Sequence, residues 1–505
     1  MATTQHREEE PNLIIHRKPF LFHHPPEETT IDEHYKLGKR VARGGFGDVH
    51  VCTHRRTNHK RAVKILPKKH VSSEAFLREI NVLKTIDHPN ILRLFESFED
   101  DNHYYIVTDL STGGDLFEYL TEHYETMTER DIAALIKQLL ICIGHCHKHG
   151  VVHSDLKPEN ILLELDHDFE RLTLCDFGFA QFYSEDARLE RCRGGTPEYL
   201  APEVFRRNYG PKCDVWSLGI LAYLLLVGQF PFPGKTPRGI CIQLKDRQDH
   251  FDVEGWSHIS AEGKSLVQAL LNKDECARPS AEEALLHPWI QNKLTIHENN
   301  EASTTNEDNR QTSLATWNHN LIQFSAKQKL KQATYAFIVA QLTCKTRKKL
   351  LDEAFRSVDL NGDGRICMRE LEASFRQRGQ LLSEVELEDI YNRVDIDKNG
   401  FISYWEFLAA TTNASTMLCA ENLRIAFEVF DKSKSDSITA EDLKHLFRDM
   451  KCEDGDSFIE ESVIEAIIKQ VDTNSDGQIS FEEFETMMRE NIMLSSTKRL
   501  HDTIS

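Results

Sequence analysis

Hydrophobic and polar positions divide the chain into stretches of different texture. Residues 1–34 are rich in His, Glu, Pro and Thr and show little periodicity, which predicts a flexible tail. From Tyr35 to about Asn292, short strand-like and helix-like patterns alternate with brief turns. The longest apolar run, Gly219 to Gly228, is about half of a membrane span and predicts a core helix. Residues 293–316 are polar and turn-rich, a linker signal. Between Leu321 and Leu342, Leu330, Ala333, Phe337 and Ala340 fall at helical spacing beside Lys327, Lys329 and Lys331. Such a basic amphipathic helix docks a partner groove or is a solvated connecting helix; the pattern alone allows both.

The last third repeats itself. Twelve-residue acidic loops begin at Asp359, Asp395, Asp431 and Asp472, and each is preceded by an apolar helical segment such as AFRSVD or AFEVFD. A fixed period of this kind means one helix–loop–helix unit copied. In DLNGDGRICMRE, Asp359, Asn361 and Asp363 occupy positions 1, 3 and 5, the Arg365 carbonyl position 7 and Glu370 position 12. Alternate short oxygen ligands, a glycine (Gly364) at the sharp turn and a terminal bidentate Glu form the EF-hand arrangement, which binds Ca2+. The second loop repeats it with Asp395, Asp397, Asn399, the Phe401 carbonyl, Gly400 and Glu406. The fourth does so with Asp472, Asn474, Asp476, the Gln478 carbonyl, Gly477 and Glu483. Isoleucine at position 8 (Ile366, Ile402, Ile438, Ile479) predicts that loops pair one with two and three with four. The third loop departs: Asp436 replaces the turn glycine, Asp442 replaces the terminal Glu, and Ser433 and Ser435 remove charge. A weak, magnesium-leaning or empty site is expected there.

Composition narrows the class. The formal charge of −20 argues against non-specific nucleic-acid binding and suits a cation binder or a solvated acidic surface equally. Twelve cysteines without a CxxC pair read as reduced thiols of a cytosolic or nuclear protein. Cys142, His145, Cys146, His147, His149 and His153 cluster in sequence but lack the paired spacing of a zinc site. The N-terminus has no apolar segment typical of a secretory signal, and Ala2 excludes myristoylation, so no membrane anchor is expected.

A second constellation lies in the alternating region. VARGGFGDV (Val41, Ala42, Arg43, Gly44, Gly45, Phe46, Gly47, Asp48, Val49) is a glycine-rich turn whose backbone N–H groups can approach nucleotide phosphates. A strand presenting Lys64 follows, then Glu79 on a helical stretch placed to pair with it. Further on come HSDLKPEN (His153 to Asn160), Asp176-Phe177-Gly178, GTPEYLAPE (Gly195 to Glu203) and DVWSLG (Asp214 to Gly219). These motifs, in this order, resemble a eukaryotic protein kinase domain over about Tyr35 to Ile290. With the junction NLIQFSAKQKLKQATYAFIVAQL and the four hands, nearly everything after residue 34 resembles the calcium-dependent protein kinases of plants and protists.

The resemblance implies an α+β bilobal kinase fold followed by an all-α, calmodulin-like EF-hand domain. It implies a calcium-activated serine/threonine kinase using ATP, Mg2+ and Ca2+ on protein substrates. The boundaries expected are a tail (1–34), a kinase domain (35–290), a linker and autoinhibitory junction helix (291–345), an EF-hand domain (346–490) and a C-terminal tail (491–505). Residue by residue, Lys64 is expected on the α/β-phosphates, fixed by Glu79, and Asp176 and Asn160 on magnesium. Asp155 is expected to accept the substrate hydroxyl proton, Lys157 to steady the γ-phosphate and Thr196 to bond the catalytic loop. The hinge is expected through Thr108, Asp109 and Leu110, a structural ion pair between Glu203 and Arg278, and Asp214 beneath the catalytic loop. Asp115 and Glu159 resemble positions that read a basic residue before the target Ser/Thr.

Two departures stand out. Ser154 replaces the arginine that usually precedes the catalytic aspartate, so control through phosphorylation of residues 179–194 is not expected. Ala42 removes one glycine from the nucleotide loop, with a modest effect expected on ATP affinity. A calcium-sensing scaffold with a dead kinase domain would lack Lys64, Asp155 or Asp176, and all three are present. A kinase needing separate calmodulin is disfavoured because about 15 residues join the junction helix to the first hand, which favours intramolecular capture.

Overall fold

The computed structural model describes residues 22–26, 29–43, 47–164, 169, 171–184, 188–190, 194–234, 236–246, 251, 253–295, 330, 334, 337–338, 345–395, 399–411, 418–449 and 461–489. The chain divides into two compact units, residues 23–306 and, for the most part, residues 307–505.

The first unit opens with a six-stranded sheet of order β1-β5-β6-β4-β3-β2. Its strands are β1 (Phe22–His24), β2 (Tyr35–Arg43), β3 (Asp48–His54), β4 (Lys60–Pro67), β5 (Leu94–Glu99) and β6 (His103–Thr108). Tyr35, Cys52, Val63, Phe98 and Val107 form its buried core, joined by Ile31 from the short helix α1 (Ile31–His34). Residues 22–34, which the sequence pattern assigns to the tail, thus carry a strand and a helical turn. The reason is tertiary: β1 gains its backbone partners only from β5, far along the chain. Helix α2 (Ser73–Thr85) begins where the Ser72 hydroxyl accepts the Ala75 N–H at 3.2 Å, and it buries Phe76, Glu79, Ile80 and Leu83.

The helical half is built on α4 (Glu129–Lys148), which starts at a capping box between Thr128 and Asp131. Ahead of it lies α3 (Leu116–His123), and after it come α5 (Pro202–Phe205) and α6 (Lys212–Val227). Helix α6 is apolar on nearly every side and is buried accordingly. It contains most of the apolar run expected to form a core helix, and it ends at Gly228, whose φ of 79° suits glycine best. Among the described residues no helix is long and apolar enough to cross a membrane.

The second unit repeats helix–loop–helix. The helices Lys345–Val358 and Met368–Gln377 flank the first loop, and Glu384–Val394 and Tyr404–Thr411 the second. Ala420–Phe430 and Ala440–Asp449 flank the third; Glu461–Val471 and residues 481–489 flank the fourth. Loops pair through two-residue antiparallel ladders that set Ile366 opposite Ile402 and Ile438 opposite Ile479. All four isoleucines are buried, so pairing two loops removes both branched side chains from water.

Candidate active site and cation loops

The sheet presents a lysine on its fourth strand. Lys64 stands in β4 between Val49 of β3 and Ile106 of β6. Its Nζ lies 2.8 Å from Glu79 Oε1 on α2 and 2.7 Å from Asp176 Oδ1. Burial pushes the Lys64 ammonium down, but the carboxylates of Asp176 and Glu79 outweigh it and hold its pKa well above the ordinary value. Lys64 in turn holds Asp176 below the usual carboxylate range, while burial pushes Glu79 up against the pull of Lys64. Asp176 has a positive φ of 59°, a conformation that costs an ordinary residue and that its partners fix.

The glycine-rich turn is described at its two ends. Val41, Ala42 and Arg43 close β2, Asp48 and Val49 open β3, and Ala42 pairs with Val49. Gly44, Gly45 and Phe46 lie outside the described residues. A Cβ at Gly47 would sit 2.0 Å from the Ile65 carbonyl oxygen, so only glycine fits. Thr108 is buried at the end of β6, and the Asp109 N–H donates to Arg93 O at 3.2 Å, with Leu110 next in the chain.

Asp155 is enclosed by donors. The Thr196 N–H and hydroxyl both reach Asp155 Oδ1 at 2.9 Å. Lys157 Nζ lies 3.0 Å from Asp155 Oδ2 and donates to Thr196 Oγ1 at 3.0 Å. Asn160 Nδ2 donates to the Asp155 carbonyl at 2.8 Å and to its Oδ2 at 3.1 Å. The loop backbone is fixed from below: Asp214 accepts the N–H groups of His153 and Ser154, each at 2.9 Å. Ser154 holds a positive φ of 70°, and its buried hydroxyl finds no partner among the described residues. Arg278 and Glu203 form a buried ion pair, with Nη2–Oε2 at 3.1 Å.

Two features escaped the sequence reading. His147 Nε2 lies 3.0 Å from Asp214, a partner 67 residues away. Arg188 bonds Asn208 and Glu275, 20 and 87 residues distant, and so anchors the activation segment. Glu159 shares the wall of a 460 Å³ cavity with Phe117, Leu120, Tyr124, Glu198 and Tyr199. Asp115, read with Glu159 as an acid facing substrate, caps α3 by accepting the Glu118 N–H at 2.8 Å.

In the second unit the full-pattern loops share one geometry. Gly364, Gly400 and Gly477 have φ of 78°, 82° and 82°, the left-handed turn that glycine adopts most readily. Position-1 carboxylates fold the loop around themselves: Asp395 accepts the N–H groups of Asn399 and Gly400, and Asp472 those of Ser475, Asp476 and Gly477. Asn361, Asn399, Asn474 and Asp476 each accept the N–H two residues on. Asp359, Glu370, Asp395, Glu406 and Glu483 are buried. Anionic groups buried together are costly without a cation or strong donors, so these loops fit calcium. Burial pushes the Glu483 carboxyl up, but bonds from Ser480 and Thr473 bring it to about 2. Arg365, Phe401 and Gln478 stand at position 7; Asp363 stands at position 5, and Asp397 lies outside the described residues.

The third loop is closed by its own side chains. Asp431 Oδ1 accepts from Ser435 N–H at 2.9 Å and Ser433 Oγ at 3.2 Å. Asp442 accepts from the Ser433 N–H at 2.8 Å and hydroxyl at 3.0 Å. Asp436 takes φ of 59° where the other loops have glycine.

Residues 35–290 match the protein kinase domain family, and residues 348–412 and 420–489 match the EF-hand domain pair. Calcium-dependent protein kinase 4 of Plasmodium falciparum is 35% identical over 476 residues, 90% of this chain and 86% of that one. The chain belongs to the calcium-dependent protein kinases. Calcium-dependent protein kinase 7 of Arabidopsis thaliana is 35% identical over 92% of this chain and 84% of its own, and calcium-dependent protein kinase 8 of that plant 36% over 90% and 83%. The protein is a calcium-activated serine/threonine protein kinase: ATP and magnesium serve its kinase domain, and calcium its EF-hands.

Proposed function

We propose that Asp155 is the proton acceptor of this kinase and that Lys64, Glu79, Asn160 and Asp176 hold its nucleotide and magnesium. The observation that carries this reading is the convergence of Lys64, Glu79 and Asp176 within 2.8 Å, together with the donor ring around Asp155. Bound ATP and magnesium supply an activated γ-phosphoryl group and neutralise its charge. The chain's own part is positioning. Glu79 fixes the Lys64 ammonium for the α/β-phosphates, and Asp176 and Asn160 present metal-binding oxygens. Thr196 and Lys157 orient the Asp155 carboxylate, which receives the proton of the substrate hydroxyl. The Asp155→Asn variant should lose at least about a thousandfold in kcat for a serine peptide while binding calcium normally. Near-normal activity would overturn the assignment.

For substrates we propose a basic side chain beside Glu159 and Glu198 and an apolar one against Phe117, Leu120 and Tyr124. The mixed acidic and apolar lining of their shared cavity supports this. Activation needs no activation-loop phosphate in this reading. Ser154 cannot bind one, and Arg188 already ties the segment to Glu275 and Asn208.

For the switch we propose intramolecular capture of the junction segment, without separate calmodulin. Leu330, Thr334, Phe337 and Ile338 stand at helical spacing and are all buried. Leu330, Phe337 and Ile338 belong to the same apolar cluster as the EF-hand helices, and the Phe337 ring meets Phe430 edge-on at 5.7 Å. Ala333 and Ala340 lie outside the described residues. Calcium, when bound, neutralises the loop carboxylates and favours the open groove. At low calcium the junction restrains the kinase; capture by the hands releases it. The free thiols of nine described cysteines support a reducing compartment, cytosolic or nuclear.

A further inference from the structure

We propose that residues 22–34, ahead of the kinase-domain match that begins at residue 35, position the Lys64–Glu79 ion pair by bracing α2 from the sheet edge. The inference rests on the reading of Glu79 as the partner that fixes Lys64.

Strand β1 adds a sixth strand beside β5, and its two adjacent histidines face opposite sides of the sheet, His24 toward the core cluster at Phe98 and His23 toward α2. The His24 ring stacks on Phe98 of β5 at 4.5 Å between centroids and 18° between planes. Its Nε2 lies 3.4 Å from Glu96 Oε2. Glu96 is buried and charge-balanced: Tyr35 donates to its Oε1 at 2.7 Å and Arg61 Nη1 lies 3.4 Å from it. Ile31 enters the sheet core with Tyr35, Val63 and Phe98. The segment is therefore fastened at both ends to the rigid part of the lobe.

His23 carries that anchorage to the helix. Its Nδ1 lies 3.1 Å from Ser97 Oγ on β5, and its ring meets Phe76 of α2 edge-on at 5.6 Å. Phe76 is buried and stacks on Tyr104 of β6 at 4.2 Å. Three residues further along α2, on the same buried face, is Glu79. A chain of contacts thus runs from β1 through His23 and Phe76 to the turn that carries Glu79, and from Glu79 to Lys64. Displacing a positioning carboxylate by an ångström is costly to catalysis even when no reacting group is touched. Residues 22–34 are then a built-in ligand of the α2–β5 seam, and His23 is a positioning residue.

The test uses the whole chain in three forms: wild type, His23→Ala and a truncation lacking residues 1–30. Amide hydrogen exchange is followed in α2 and, as an internal control, in α4. Calcium-stimulated kinetics are measured alongside, and a synthetic peptide of residues 18–34 is added in trans. The proposal expects faster exchange in α2 with α4 unchanged. It also expects kcat to fall about fivefold or more in the truncation, less in His23→Ala, with recovery when the peptide is added. Unchanged α2 exchange with kcat within about twofold of wild type would overturn it. So would equal loss of protection in α2 and α4, which would make the segment a general stabiliser. A Glu79→Gln control separates the two readings. If that variant stays active, the Glu79 assignment fails. If it is inactive while the truncation is not, only the bracing role fails.

Discussion

Ser154 and Asp176 both adopt a left-handed backbone, at φ of 70° and 59°. That conformation costs a non-glycine residue about 1–3 kcal/mol. Ser154 has its N–H held by the buried Asp214 carboxylate, and Asp176 has its carboxylate held by Lys64. Two of the strained residues thus lie in the proposed active site, each fixed by a charged partner. The six-stranded sheet carries a titration liability of its own. Burial pushes the His54 imidazole down to about 4, against the opposing pull of Glu96. The fold therefore favours the neutral ring, and an unfolded His54 titrates near the ordinary histidine value of about 6.5. Its stabilising contribution is complete above about 6.5 and is lost as the pH falls toward about 4. Denaturant unfolding of wild type and His54→Gln at neutral and mildly acid pH checks this. The wild-type kinase lobe should weaken more steeply on acidification; parallel behaviour would contradict the assignment.

At the scale of elements, the third loop differs from the other three in its ligand set, with serine at positions 3 and 5 and Asp442 in place of the terminal Glu. In the third loop Ser433 already donates to Asp431 and Asp442, and Asp436 occupies the glycine position. Calorimetry should therefore count three calcium ions bound per chain with high affinity, and Glu406→Gln combined with Glu483→Gln should shift calcium activation to concentrations at least about tenfold higher. Four equivalent ions, or activation at unchanged calcium in the double variant, would contradict the loop assignment. The activation segment gives the parallel case. Because Arg188 holds it through Asn208 and Glu275, phosphatase treatment should leave activity within about twofold of the untreated enzyme, and a large loss would refute that. Sequence made these elements legible unevenly. The EF-hand loops place their candidate ligands a few residues apart, so side-chain chemistry and spacing point to them together, whereas Lys64 meets Asp176 across 112 residues and is suggested by the order of the motifs. Strand β1 could not be read that way, because its backbone partner is β5 and its three residues carry no alternation of their own. The Arg188 anchor was equally hidden, with Glu275 lying 87 residues away. Asp115 shows a role that sequence context did not suggest: one oxygen of its carboxylate caps α3.

For the whole molecule, a formal charge of −20 disfavours non-specific binding to nucleic acid. The kinase domain and the EF-hands reside on one chain. Leu330, Phe337 and Ile338 are buried in the EF-hand cluster, and under the proposed switch the calcium response is an intramolecular event, independent of protein concentration. The most direct test is phosphorylation of a basic serine peptide by the purified full-length protein, with calcium or with chelator, and with no calmodulin added. Strong activity confined to the calcium condition is the predicted result. Equal activity in both conditions, or activity that appears only when calmodulin is supplied, would contradict a switch built into this chain.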